Sequence, residues 1–297
     1  MQSTSTSDAM PREERPVPPR RGCGACGSQN VAYVCDLPIY IKGGNLPDTI
    51  WRCADCGTYI RAADYDEITQ RGHFEVASYT NPDSEERLYR SRKDFFRFII
   101  RLCEQSLGRP IAGARVLDVG CAYGHLLDLL REHGASTTGI EIVDRLREQV
   151  ARHGHTAYAS PDEIPTSERF DAITMLDCLY LFEEPCSALK LYHGILAKDG
   201  CLLIRVTNRT PLFSFLRFLG RPVGDAHFGD GKHCFSYRGL KRLLSDAGFS
   251  IERIILWEKG KRHQRMAARM YYLLSFILSL IVRRPLTPGL IVIARPG

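Results

Sequence analysis

Past the break at Gly108-Arg109-Pro110, short apolar runs alternate with helical patterns. The runs Arg115–Val119, Ser136–Ile140, Ala157–Ala159, Ala172–Leu176, Cys201–Thr207, Ser250–Trp257 and Leu290–Ala294 show little alternation of apolar and polar positions. Strands covered on both faces read this way. Helices fit between them, for example Gly239–Ala247, closed by Gly248. Strand alternating with helix predicts an α/β class with a doubly wound, mostly parallel sheet. Only a loop and a helix separate the last two strands, which predicts that the last one runs antiparallel. Before the break, Leu88, Phe95, Phe96, Ile99, Leu102 and Cys103 recur at three- and four-residue steps. That period predicts a helix over Glu85–Leu107 with Ser84 as its N-cap.

The N-terminal part has a different texture. Residues 1–22 are Ser/Thr-rich, then Pro/Arg-rich, with no apolar run, so they are expected to form a disordered tail without a secretory signal. Residues 23–62 are short-stranded and turn-rich, and 63–110 form a helical linker ahead of a main domain over 111–297. Composition fits a globular chain: 44% of its 297 residues are apolar and 25% charged. A net charge of +6 is too weak to argue for nucleic acid on its own. Eleven cysteines point to a reducing compartment, where thiols bind metal or fill a core.

Four of those cysteines form a pattern. Cys23-Gly-Ala-Cys26-Gly and Cys53-Ala-Asp-Cys56-Gly are paired C-x-x-C-G turns. Each places two thiolates on one metal, and the glycine after it lets the chain turn tightly around the sulfurs. Together they make a closed tetrahedral sulfur site suited to structural Zn2+. A redox dithiol needs only one such pair. A closed site has no open coordination position, so this metal holds a fold and performs no chemistry.

The most informative segment is Val116-Leu-Asp-Val-Gly-Cys-Ala-Tyr-Gly124-His, a strand running through small residues into a helix. The small residues let a ligand approach the backbone at a helix N-terminus. Glu141 follows the next strand, where an acid can accept both hydroxyls of a ribose. Asp118, two residues before the first glycine, would repel a pyrophosphate and suits a cationic ligand carrying an ammonium and a sulfonium. S-adenosylmethionine (SAM) is such a ligand.

VLDVGCAYGHLL, GIEIVD, FDAITMLDCLYLFEEP, GILAKDGCLLIRVTN and HCFSYRGLKRLLSDAGF resemble, in order and spacing, the successive motifs of class I SAM-dependent methyltransferases. The nearest likeness is to the bacterial small-molecule and sugar branch. The resemblance implies a seven-stranded Rossmann-like sheet with an antiparallel last strand, carrying a lid insertion at about 208–237. It implies that Asp118, Gly120, Ala122 and Gly124 line the methionine end of SAM. Glu141 would take the ribose hydroxyls, Ile142 would lie beside the adenine and Ser160 near its amine. Leu176 and Asp177 would close over the sulfonium side. Ala122 stands where many members carry Gly, and Tyr180-Leu181 where many carry Glu-His. For the base that takes the acceptor's proton the candidates are His233, His227 and Tyr180. Tyr79 and Arg92, ahead of the core, would be the candidates to reach the cofactor carboxylate.

A second insertion, at about 264–284, contains the uncharged run Met270–Val282, shorter than the about 20 residues a spanning helix needs. Arg265, Arg269, Tyr272, Ser275, Ser279 and Arg283 fall on one stripe of this helix, and basic residues flank it. It fits a helix lying in a membrane interface, or one buried against the lid or in a homodimer contact. The expected partner is a small-molecule, sugar or lipid-linked acceptor bearing a hydroxyl. The expected location is cytoplasmic, peripheral on the inner face of the membrane where that helix meets lipid. An RNA acceptor is the alternative. The zinc module argues against nucleic acid, since Lys42 and Arg52 are its only basic residues between Cys23 and Cys56. A non-catalytic, membrane-associated scaffold would have no need of Asp118 or Glu141.

Overall fold

The computed structural model describes residues 16–41, 44–70, 82–222, 228–229, 231–256 and 266–297. Strands β1 (Val31–Asp36), β2 (Ile39–Ile41), β3 (Gly44–Leu46), β4 (Thr49–Cys53) and β5 (Tyr59–Arg61) precede a helix at Pro82–Leu107. The α/β part follows with β6 (Arg115–Val119), β7 (Ser136–Ile140), β8 (Thr156–Tyr158), β9 (Phe170–Leu176) and β10 (Leu196–Thr207). The chain goes on through β11 (His233–Cys234) and ends with β12 (Phe249–Ile255) and β13 (Gly289–Pro296).

Seven strands form one sheet in the order β12-β13-β10-β9-β6-β7-β8. Strands β6 to β10 pair in parallel, while β13 inserts antiparallel between β10 and β12. This is the Rossmann-like sheet with its antiparallel last strand, and each apolar run supplies the centre of one strand. On one face, Phe95, Ile99, Leu102 and Cys103 of the long helix pack with Val116, Ala172, Leu203 and Ile293. On the other, Leu189 and Tyr192 of helix Pro185–Ile195 and Leu240 and Leu244 of helix Tyr237–Asp246 cover Leu117, Ile173, Leu202 and Val292. Both faces are covered, which is why the strands show no alternation. The long helix starts at Pro82, earlier than expected, so Ser84 lies within its first turn instead of capping it. Proline suits a first helical position because it has no N–H to leave unpaired.

The N-terminal module is a four-stranded sheet in the order β1-β4-β5-β11, with β2 and β3 as a separate ribbon. Its fourth strand comes from the insertion expected to be a lid: His233 pairs with Ile60 and Cys234 with Tyr59. Module and insertion are therefore one piece of structure. Two buried ion pairs reinforce the seam. Arg61 Nη1 donates to Asp48 Oδ2 at 3.1 Å and to the Leu37 carbonyl at 2.8 Å, while its Nη2 donates to the Gly229 carbonyl at 2.9 Å. Lys232 Nζ lies 3.0 Å from Glu183 Oε1 and donates to the Ala63 carbonyl at 2.6 Å. Buried charges are tolerated only when paired and hydrogen-bonded, so these carbonyls are part of each pair's stability. Residues 1–15 lie outside the described residues. Residues 16–22, expected to belong to a disordered tail, run along the protein with Pro19 and Gly22 buried and Arg21 paired with Glu184.

Candidate metal centre and cofactor turn

The four paired cysteines converge, with all four Sγ atoms within 4.8 Å of one another. Cys23 Sγ lies 3.5 Å from Cys56 Sγ, and Cys26 Sγ 3.6 Å from Cys53 Sγ. A tetrahedral zinc with bonds of about 2.3 Å holds its sulfurs about 3.8 Å apart, so the donor set fits the ion. Each turn closes as the sequence predicts. The Gly27 N–H donates to the Cys23 carbonyl at 2.7 Å and the Gly57 N–H to that of Cys53 at 3.0 Å. Both glycines have positive φ (71° and 83°), a conformation other residues adopt at a cost. Ser28 Oγ donates to Asp55 Oδ2 at 2.5 Å and ties the two turns together.

The late block His233-Cys-Phe-Ser-Tyr-Arg-Gly239 docks on this centre. Ser236 Oγ donates to the Cys56 carbonyl at 2.6 Å and accepts from the Gly239 N–H at 2.8 Å, capping helix Tyr237–Asp246. A Cβ at Gly239 would sit 2.3 Å from Thr58 Oγ1 and 3.2 Å from Cys56 Sγ. Gly239→Ala is therefore expected to cost about 1–3 kcal/mol by overpacking. A thermal melt that matches the parent, with metal retained, would refute that contact.

The second site lies where the sheet reverses its strand order, at the C-terminal ends of β6, β7 and β9. The turn after β6 holds Gly120 (φ 72°), Ala122 (φ 49°) and Gly124 (φ 79°) in left-handed conformations. A Cβ at Gly120 would meet Cys178 Cβ at 2.9 Å, and one at Gly139 would meet Cys121 Sγ at 2.6 Å. Glu141 braces the turn: Oε2 accepts from the Ala122 N–H at 2.9 Å and Oε1 from the Val143 N–H at 3.0 Å. Burial pushes its carboxyl up, opposed by those backbone donors. Asp118 is buried and accepts a 2.6 Å hydrogen bond from Thr174 Oγ1. Burial pushes its carboxyl up to about 7 against that bond, and the nearby Glu141 charge adds to the rise.

Ile142 stands at the rim, 50% exposed. Ser160 precedes the short turn Pro161–Glu163. Leu176 ends β9, and Asp177 follows with φ 63°. The Asp177 carboxylate pairs with Arg205 Nη1, and Arg92 Nη2 of the long helix lies 3.9 Å from its other oxygen. Tyr180 sits in the turn Leu179–Leu181, and its ring would meet a Cβ at Gly231 at 2.9 Å. His233 is buried, stacks on Phe235 at 5.4 Å and would meet a Cβ at Gly24 of the first cysteine turn at 2.6 Å. Burial, then the Lys232 charge, pushes its imidazole down to about 3, so it is neutral at ordinary pH. His227 and Tyr79 lie outside the described residues.

Sequence reasoning passed over several neighbours. Arg205 carries a signal, a cation inside an otherwise apolar central strand, whereas Thr174 and Cys178 carry none. His125, directly after Gly124, lies between Tyr89 and Tyr123 with ring centroids 5.0 and 5.7 Å away. In chemical terms the turn offers small residues and a helix N-terminus between two acids, a setting for a cationic, ribose-bearing ligand.

The methyltransferase domain family matches residues 89–254, more than half of the chain. A ubiquinone biosynthesis O-methyltransferase of Xanthomonas oryzae pv. oryzae is 28% identical over 188 residues, covering 57% of this chain and 77% of that protein. Its namesake in Pseudomonas putida is 31% identical over 160 residues, covering 49% and 68%. A SAM-dependent methyltransferase structure from Clostridium acetobutylicum aligns with a TM-score of 0.50 at 12% identity, covering 72% of this chain and 98% of that one. A chain from the complex of the Haloferax volcanii Trm112 methyltransferase activator with a methyltransferase aligns at 0.51 and 14% identity, covering 76% and 97%. These two likenesses bear on the fold.

Proposed function

Since the chain belongs to the methyltransferase domain family and is a SAM-dependent methyltransferase, we propose that it methylates a hydroxyl of a small-molecule, sugar or lipid-linked acceptor. The observation that carries the cofactor part is the turn Gly120–Gly124 held between Asp118 and Glu141. In this reading Asp118 takes the cofactor's ammonium and Glu141 its ribose hydroxyls. Gly120, Ala122 and Gly124 make room for the methionine end. Ile142 and Ser160 border the adenine, and Leu176 and Asp177 close the sulfonium side. Bound SAM supplies a methyl group on a sulfonium. The protein's contribution is to hold an acceptor oxygen in line with it, so that the C–S bond breaks as the O–C bond forms. The relatives named O-methyltransferases support oxygen as the acceptor atom.

The hydroxyl's proton must leave to a base. Tyr180, His227 and His233 are the proposed groups around it, with a division of labour. A neutral imidazole pushed down to about 3 is a weak base, and His233 is wedged against Gly24 of the metal-binding turn. We assign it a positioning role at the seam and propose Tyr180 or His227 as the group that takes the proton. His233→Asn is then expected to lower the melting temperature and to raise KM for the acceptor, with the pH profile of kcat unmoved. A profile that loses its acid limb in this variant would make His233 the base.

The module's Cys23, Cys26, Cys53 and Cys56 would hold one structural Zn2+, and its sheet would seat the insertion that covers the acceptor. To test the whole reading, the protein is incubated with methyl-labelled SAM and bacterial extract, and label is partitioned among lipid, small-molecule, RNA and protein fractions. Label in the lipid or small-molecule fraction is expected. Label confined to RNA would overturn the acceptor class.

A further inference from the structure

Helix Met266–Val282 is inside out. Its small polar residues face the protein: Ser275 and Ser279 are 6% and 2% exposed. Ser279 Oγ donates to the Ser275 carbonyl at 2.6 Å and accepts from the Leu286 N–H at 2.9 Å, which anchors the helix to its exit turn. Its large apolar side chains face outward. Leu274 is 54% exposed, Ile277 45%, Leu278 49% and Ile281 70%. Soluble helices bury such residues and expose serine, so this face is built for contact with something apolar.

The surroundings say what that is. From Lys259 to Gly297 the sequence has no Asp or Glu, while Lys259, Lys261, Arg262 and Arg265 precede the helix and Arg283 and Arg284 follow it. Arg269, Arg283 and Arg284 are exposed. A second apolar element emerges from the same corner. Helix Thr210–Phe218 exposes Phe215 and Phe218, with Arg217 and Arg221 beside them. Asn208 ties the two elements together, its Nδ2 donating to the Pro285 and Thr287 carbonyls at 3.0 Å each. Thr207, which ends β10, pairs with Gly289, which begins β13, so both helices leave the sheet at the edge that carries the Gly120 turn. Among the described residues no helix is long and apolar enough to cross a membrane, so the surface suits a lipid face and not a span.

We infer that helix Met266–Val282, with Phe215 and Phe218, docks this protein on an anionic lipid bilayer, lying in the interface with its arginines among the phosphates. The cofactor edge then faces the lipid. Commitment to a bilayer over a second copy of this chain rests on charge: the helix and its flanks from Lys259 onward carry Lys and Arg and no acid, with Arg269, Arg283 and Arg284 exposed, so this face repels its own image but is attracted to anionic headgroups.

Flotation of the full chain with phosphatidylcholine vesicles, with and without phosphatidylglycerol, tests this without reference to methyl transfer. Binding is expected with the anionic vesicles, falling as salt is raised. Leu274→Glu with Ile281→Glu, both at exposed positions, is expected to weaken binding roughly a hundredfold. Arg283→Gln with Arg284→Gln should cost about fivefold per arginine, on anionic vesicles alone. The folding control is an unchanged thermal melt. Vesicle binding that is absent, or that the double glutamate variant leaves intact, would overturn the inference. So would a dimer in sedimentation that the same variant abolishes while vesicles are ignored.

Discussion

Stripping the metal proposed for the four cysteines is expected to abolish methyl transfer while SAM binding survives. The thiols of Cys23, Cys53 and Cys56 share one apolar core with Leu179, Phe235, Leu240 and Leu243, so the module is not a free-standing appendage. A structural zinc of this kind contributes on the order of 10 kcal/mol of coupled folding energy. Without it, β11 loses its partner strand and the Ser236 cap loses the Cys56 carbonyl. The acceptor side would then come apart along the seam. β6 and β7 reach that core through Leu117, Val119 and Ile140, but the turn itself also packs on a separate cluster of Cys121, Leu127 and Val150, away from the thiols. Elemental analysis should give one zinc per chain, and none for Cys53→Ser with Cys56→Ser. Calorimetry with SAM then reads the cofactor site, and label transfer reads the acceptor site. Full activity in the metal-free protein would defeat this account.

The second large effect is at Asp118. If its carboxylate takes the cofactor's ammonium, Asp118→Asn removes a charge-assisted hydrogen bond worth about 1.5–3 kcal/mol, a loss of roughly ten- to 150-fold in affinity. The same group sets a pH dependence. With its carboxyl pushed up to about 7 by burial, the cofactor-free protein holds a proton there that must leave before a cation can bind. Affinity is therefore expected to rise as pH goes from 6 to 8 and level off above, and the Asn variant should show neither the rise nor the affinity. Stability runs the other way. Between the ordinary 3.8 and about 7 the folded protein binds this proton and the unfolded chain does not, so this group's contribution to stability falls as pH rises through that window. Calorimetric titrations across this range check the first statement, and denaturant melts of both proteins check the second. Affinity independent of pH in the parent would place the ammonium elsewhere.

Much of the turn Gly120–Gly124 was legible in the chain because its conformation depends on local chemistry. Positive φ selects Gly120 and Gly124, and a strand ending in an acid selects Glu141. His233 shows where that logic stops. Its place in a motif suggested a base, but a motif does not reveal what a side chain packs against. Here that is Gly24 and Phe235, across the seam between module and core. The partners of Asp118 and Asp177, Thr174 and Arg205, sit on neighbouring strands, and strand pairing is invisible in the order of residues along one chain.

The sequence by itself determined the alternation of strand and helix, the small-residue turn at Gly120–Gly124 and the four-thiol centre. Each follows from interactions among residues close along the chain or from the chemistry of one residue type. Only the tertiary structure decided that β11 completes the module's sheet and that the buried pairs Arg61–Asp48 and Lys232–Glu183 lock the insertion down. The same holds for the helix at Met266–Val282, which turns its serines inward. A helical wheel fixes which residues share a face but not which face meets the protein. That choice depends on where β10 and β13 let the helix leave the sheet, and on Ser279 meeting the turn at Leu286.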